Sequence, residues 1–310
     1  MTTHTFPSPE AHVAAVQNAN LRIALLGKAS RPWTIASLDL HDLRVQWGQA
    51  GGGTLTEGAV SHAGAILFVP TQNASVMRMN GHRFDAQSFR FQMPGDELCL
   101  SSTDWHCWFS LFISNEVLAD WSDNGATAVA LSSRFIQVPL ERAEAFRRVV
   151  EQLGSIVQEA PAAFASSAAV ATTAHKLTNL VREAIWGQPI STTHAGRRSI
   201  PRRQVVRAVL DAIDRQDGEY LTVTDLGSAA GVSERTLRAV FQDYFGMGPV
   251  RYLRLRSLNL IHKTLQNADS SVMTVTGVAA QFGVWELGRF ARDYQLLFGE
   301  RPSETLRRSH

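Results

Sequence analysis

An internal repeat in the last third of the chain constrains the fold more than any other feature. Thr222, Val223 and Thr224 recur as Thr274, Val275 and Thr276, and Gly231-Val232 recurs as Gly283-Val284, at a constant offset of 52. After the turn the offset is 53: Leu237 answers to Phe290, Phe241 to Tyr294, Phe245-Gly246 to Phe298-Gly299 and Pro249 to Pro302. A pattern that returns with a single inserted residue puts its apolar and turn positions in the same places twice, so the two copies share one local structure.

Each copy has the parts of a helix-turn-helix. Thr222 with Asp225 three residues on starts a short helix in capping-box fashion. Gly231 permits the turn, and Ser233 can cap a second helix. In that helix Leu237, Val240, Phe241 and Tyr244 fall at i, i+3, i+4 and i+7 and form a buried stripe, which leaves Glu234, Arg235, Arg238, Ala239 and Gln242 on the opposite face. In the second copy Phe290, Tyr294, Leu297 and Phe298 face inward, while Leu287, Arg289, Ala291, Arg292 and Gln295 face out. Residues 249–265 read as one connecting helix of roughly 25 Å, compatible with two reading helices in successive major grooves ~34 Å apart. The formal net charge is only +2, but residues 196–310 hold 17 Lys/Arg against 12 Asp/Glu, whereas residues 1–195 hold 13 against 16. One such unit is shared by many helical hairpins that never touch DNA. Two matched units with arginines on both exposed faces, in the basic third, point to duplex DNA.

The remainder of the 310 residues is long enough for a second domain. From Trp33 to Val138 short alternating runs, such as Leu43, Val45 and Trp47, are separated by glycine, asparagine and proline, as in a small sandwich or barrel. Gly51-Gly52-Gly53 reads as a flexible hairpin tip. Leu140, Ala143, Phe146, Val149, Val150, Leu153 and Val157 then fall at helical spacing, and a second helical stretch runs from Phe164 to Trp186. These two helices either pack on the barrel or pair with a second copy. The expected class is α+β. A cupin-like β-barrel (about 33–138) and two helices (about 140–187) make up an N-terminal domain, 1–190. A linker follows at 191–203, then an all-α domain of two helix-turn-helix units, 204–310.

Two cysteines, Cys99 and Cys107, support neither a disulfide framework nor a zinc site. The N-terminus has no secretory pattern and no apolar run reaches the ~20 residues of a membrane span, so a cytoplasmic protein without membrane attachment is expected. His62, His82 and His106 are isolated, so neither a metal nor another cofactor is expected, and no nucleophile motif or phosphate loop suggests an enzyme. An interior lined by aromatic residues such as Trp105 and Trp108, with Arg78, Arg90 and His106 nearby, could hold a small organic effector.

The long run of matched positions resembles the AraC/XylS family of bacterial transcription regulators over Ala208 to Arg308. It includes Gly231-Val232-Ser233, Leu237, Phe241, Gly246 with Pro249, Tyr252-Leu253, Ala279, Gly283, Phe290 with Arg292, and Phe298 to Ser303. Trp285 to Gln295 resembles the branch that contains the ethanolamine-utilisation regulator. The resemblance implies an effector-responsive activator with an N-terminal sensing and dimerisation module, promoter DNA as partner, and contact with RNA polymerase. Carried over position by position, it implies base reading by Arg235, Arg238 and Ala239, then by Leu287, Gly288, Arg289 and Arg292. The full expected DNA-contacting set adds Ser233, Thr236 and Gln242, and Trp285 with Glu286. Gly227, Gly288 and Ser257 depart from the family pattern, and Arg256 is placed to substitute for the arginine missing at Ser257. Two other readings are a cupin-like metal enzyme with a DNA-binding tail and a ligand-independent repressor or architectural DNA-binding protein.

Overall fold

A computed structural model describes residues 3–123, 134–186, 202–215 and 221–308. The expected linker therefore lies outside the described residues up to 201, and its last two residues, Arg202 and Arg203, already open a helix.

The chain starts with β1 (His4–Phe6), α1 (Pro9–Ala14) and β2 (Ala19–Leu25). It continues with β3 (Trp33–Asp39), β4 (Leu43–Ala50), β5 (Thr54–Val60) and β6 (Gly64–Gln72), then β7 (Met77–Met79), β8 (His82–Arg83), β9 (Ser88–Gln92), β10 (Glu97–Ser102) and β11 (His106–Ser114). After α2 (Asn115–Asp123) and β12 (Arg134–Gln137) come the long helices α3 (Leu140–Glu159) and α4 (Ser167–Trp186). The strands form a seven-stranded sheet, β1-β3-β4-β11-β6-β9-β12, and a five-stranded sheet, β2-β5-β10-β7-β8. The expected barrel is thus two facing sheets that do not join into a closed ring among the described residues, and the β-region starts well before Trp33.

Alternation along the strands sorts the side chains into layers. On β11, Phe109, Leu111 and Ile113 join the core under α3 and α4, while Trp108 and Phe112 enter the core between the sheets. On α3 the buried stripe is Ala143, Phe146, Val150, Leu153 and Val157, and Leu140 and Val149, expected in that stripe, are exposed. Gly51-Gly52-Gly53 is buried rather than a free hairpin tip. A Cβ on Gly51 would lie 2.2 Å from the Arg31 carbonyl oxygen and one on Gly52 2.9 Å from Ala29 Cα, so backbone packs where a side chain would be.

The last third is helical: α5 (Arg202–Arg215), α6 (Val223–Ala230), α7 (Glu234–Phe245), α8 (Pro249–Gln266), α9 (Val275–Gln281), α10 (Leu287–Phe298) and α11 (Pro302–Arg308). These helices cover the outer face of the five-stranded sheet. Leu26, Leu55 and Cys99 share one core with Val209, Phe241, Phe245 and Tyr252, and Leu25, Trp33 and Ala50 share another with Leu258, Ile261 and Tyr294. The order of layers is α3/α4, large sheet, small sheet, C-terminal helices.

Candidate nucleic-acid interface

In the first tandem unit, Thr222 caps α6. Its hydroxyl accepts from the Asp225 amide at 3.2 Å while the Asp225 carboxylate accepts from the Thr222 amide at 2.8 Å and its hydroxyl at 2.6 Å. These bonds, the hydroxyl's first, hold the Asp225 carboxyl below its usual value. Gly231 ends α6 at φ 63°, and its amide donates to the Gly227 and Ser228 carbonyls. Ser233 caps α7, accepting from the Thr236 amide at 3.3 Å. Leu237, Val240, Phe241, Tyr244 and Phe245 are buried beneath α7. On its other face Ser233, Arg235, Thr236, Arg238, Ala239 and Gln242 are all exposed. Arg238 lies 3.2 Å from the Glu234 carboxylate one turn back.

The second unit repeats the design with changes. Thr274 caps α9 by accepting from the Gly277 amide at 3.1 Å. Phe290, Tyr294 and Leu297 are buried beneath α10, and Trp285, Glu286, Leu287, Gly288, Arg289 and Arg292 are all exposed. Ala291, expected to face out, is half-buried. Glu286 stands at the N-cap and makes no side-chain cap bond, unlike Ser233. Arg254 of α8 pairs with Asp293, which ties α10 to the connecting helix. A directional chain of hydrogen bonds underlies this unit. Tyr294 Oη donates to Thr305 Oγ1 at 2.8 Å and Thr305 to Glu300 Oε1 at 2.5 Å, so His262 Nδ1, 2.6 Å from Tyr294 Oη, must be the donor there. His262 Nε2 is then left to accept from Gln266 at 2.9 Å. Burial lowers the His262 pKa, consistent with the neutral ring this pattern needs.

The connecting helix α8 has 18 residues, about 27 Å at 1.5 Å per residue. Where the family pattern has arginine, Ser257 bonds the Leu253 carbonyl at 3.1 Å, and neighbouring Arg256 donates to the Ile213 carbonyl at 3.0 Å. Asn259 faces the small sheet. Its Oδ1 accepts from the Leu25 amide at 2.9 Å and its Nδ2 donates to the Leu25 carbonyl at 3.0 Å, acting as a strand partner for the edge of β2.

A cavity of about 70 Å³ lies between the sheets on the other side of β2 and β5. Ile66, Phe68, Met79, Leu98 and Trp108 line it with the polar side chains of His12, Thr54, Thr56, Gln92, His106 and Ser110. No Asp, Glu, Lys or Arg is among its lining residues. His12 and Gln92 are buried, and neither ring nitrogen of His12 nor Gln92 Nε2 has a hydrogen-bond partner. Burial pushes the pKa of both His12 and His106 down to about 4. The Thr34 carbonyl pulls His12 the other way without a well-formed bond to either nitrogen.

Of the expected effector residues, His106 and Trp108 line this cavity. The other three do not. Arg78 Nη1 donates to the Asp243 carbonyl of α7 at 3.2 Å, the Arg90 guanidinium lies 5.1 Å from the Phe135 ring, and Trp105 lies under Arg31 at 5.0 Å. His12 and Gln92 were not singled out from the sequence. Ser8-Pro9-Glu10, a cap followed by proline at the first turn, is the signal that marks the helix carrying His12. Among the described residues no group of three or more His, Cys, Asp or Glu is placed to hold a metal ion, and no helix is long and apolar enough to cross a membrane.

The paired caps, the two glycine turns and the two exposed arginine-bearing faces decide the nature of the C-terminal third. Residues 226–308 match a helix-turn-helix domain family. The helix-turn-helix domain is similar to that of the probable thc operon regulatory protein of Rhodococcus erythropolis, 36% identical over 103 residues, which are 33% of this chain and 31% of that protein. It is also similar to XylDLEGF operon transcriptional activator 2 of Pseudomonas putida, 34% identical over 98 residues, 32% of this chain and 62% of that one. The chain therefore spans under two thirds of the length of these curated relatives, and the likeness is one of the helix-turn-helix domain. Among solved structures, the AraC-like transcriptional activator CuxR covers 84% of this chain and 95% of its own at 15% identity and a TM-score of 0.42.

Proposed function

We propose that the chain is a sequence-specific transcription regulator of the AraC/XylS type that reads double-stranded promoter DNA through α7 and α10. One observation carries this reading: two matched helices, each seated on a buried aromatic stripe, leave arginine-bearing faces exposed within the basic third of the chain. Arg235, Arg238, Arg289 and Arg292 can pair with guanine edges or phosphates. Ser233, Thr236, Gln242 and Glu286 supply polar contacts, and Ala239, Trp285, Leu287 and Gly288 supply apolar or close backbone contact. Activation is the sign of regulation that the names of the P. putida relatives support. The likeness to the ethanolamine-utilisation branch rests on Trp285 to Gln295.

The first 190 residues are the sensing and dimerisation part of this reading, with 191–203 as linker. The effector occupies the cavity between the sheets. It is small and uncharged, because an ionised group buried there would have no opposite charge beside it. It carries hydrogen-bonding groups for the ring nitrogens of His12 and for Gln92 Nε2, which are otherwise unmatched. The protein works in the cytoplasm as a homodimer that contacts RNA polymerase.

Binding of the full-length protein to its own upstream DNA, measured against random duplex at several salt concentrations, tests the reading. Sequence-dependent binding that weakens steeply with salt is expected. Equal affinity for random DNA would instead favour an architectural protein.

A further inference from the structure

The exposed starts of α7 and α10 differ in chemistry. At the start of α7 the exposed residues are Ser233, Glu234, Arg235 and Thr236, all polar. The one-residue insertion of the second unit falls just before α10, and there the exposed residues are Trp285, Glu286, Leu287 and Gly288. Trp285 is 78% exposed and Leu287 40% exposed, although both are large and apolar. Gly288 has open space where a side chain would stand. The Leu287 amide donates to the Trp285 carbonyl at 3.1 Å, which holds this apolar edge in a tight turn at the head of the helix. Arg289 and Arg292 lie exposed on the same helix, so the patch belongs to a charged surface suited to nucleic acid, and the pairing of Arg254 with Asp293 fixes how α10 presents it.

In the major groove the one apolar group on a base edge is the C5-methyl of thymine. Resting on the DNA-reading function proposed above, we infer that Leu287, with the gap at Gly288 and Trp285 beside it, forms a seat for thymine methyl groups. The second unit thus selects thymine, while the first selects guanine through Arg235 and Arg238. Leu287 supplies the contact, and Gly288 lets the helix backbone come close to the bases because no side chain stands between them. Glu286, whose carboxylate lies 3.6 Å from the Arg289 guanidinium, disfavours a nearby phosphate, which keeps the apolar edge over the bases.

Removal of the methyl is the direct test. The full-length protein selects its sites from a randomised duplex pool, and each thymine of the selected site is then replaced by deoxyuridine, which keeps every Watson–Crick hydrogen bond and loses only the methyl. At one or two thymines in the half-site read by α10, affinity is expected to fall about fourfold per replacement, the worth of roughly one buried methyl group. L287A should bind more weakly and lose most of that uracil penalty, whereas R235A should keep the penalty and relax guanine preference at the other half-site. Leu287 is exposed, so the variant tests recognition without removing a core residue. A selected site whose thymines can all be replaced without loss, or an unchanged uracil penalty in L287A, overturns the inference while DNA reading stands. Failure to enrich any sequence overturns the DNA-reading function and the inference with it.

Discussion

Two glycines in the tandem units answer to different demands. At Gly231, φ is 63° and nothing lies within 4 Å of an added Cβ, so a side chain there meets backbone strain alone. Gly231→Ala is expected to lower unfolding free energy by about 1 kcal/mol, seen as a lower urea midpoint with an unchanged slope. Gly288 also has open space around it but lies within α10. Alanine suits a helix better, so Gly288→Ala is expected to raise stability by about 0.5 kcal/mol. The same methyl group fills the gap against the bases and should weaken DNA binding. Thermal melts and DNA titrations on the one variant are expected to move in opposite directions, and a loss of both would mean that Gly288 is there for folding. Both positions stand out in the sequence, Gly231 because it recurs as Gly283 and Gly288 because it breaks the family pattern. Which kind of glycine each is depends on φ and on the empty space, and neither quantity is written in a residue type.

At the scale of elements, the repeats and the two long helices α3 and α4 were legible because a helix writes its buried face into sequence at a period near 3.6. Strand alternation likewise marked the sheet region, with Leu43, Val45 and Trp47 falling on β4. Not read from the sequence were β1 and α1, which are short and lie in a polar start, β2, although its Leu21, Ile23 and Leu25 alternate, and α2, a helix inside the stretch expected to hold only strands. The contact of α8 with β2 was not legible either. Asn259 and Leu25 are 234 positions apart, and an asparagine on a helix face gives no sign that its amide will take the place of a strand. This contact predicts a specific behaviour. Asn259→Ala leaves the amide and carbonyl of Leu25 without their partner, at about 1–3 kcal/mol if water does not replace it. Hydrogen exchange at the Leu25 amide should speed up markedly in the variant, while amides in the centre of β11 keep their protection. Asn259→Asp should behave almost as badly, because a carboxylate still accepts from the amide but repels the carbonyl. Unchanged exchange at Leu25 in both variants would show that the edge of β2 is held by packing alone.

Across the whole molecule, the small sheet is a wall one strand-layer thick between the cavity and the C-terminal helices. Thr54 and Thr56 face the cavity from β5 while Leu55 packs against the C-terminal helices, and Leu98 and Leu100 do the same against Cys99 and Ser101 on β10. Any change in the cavity is therefore one side chain away from α7 and α8. The buried histidines give that cavity a pH signature. In the folded protein His12 and His106 take up a proton only near pH 4, whereas in the unfolded chain they do so near 6.5. Because the folded state resists protonation, stability is at its full value above about pH 6.5 and declines as pH falls towards 4. Each histidine contributes on the order of 3 kcal/mol to that decline, with the sum reduced where the neighbouring rings influence one another. His262, also held low by burial, adds to the slope from the helix-turn-helix side. Calorimetric melts should show a steady Tm from pH 8 to 7 and a falling Tm between 6.5 and 4.5. His12→Phe keeps a ring among Phe6, Trp33 and Trp108, and should flatten a large part of that fall. An uncharged ligand that bonds to neutral His12 should raise Tm by a similar amount from pH 8 down to about 5 and lose its effect only as pH falls through 4, where protonation of the folded protein competes with binding for the same ring nitrogen. A Tm independent of pH over this range, in wild type and variant alike, would mean that water reaches both rings and that the cavity is open to solvent.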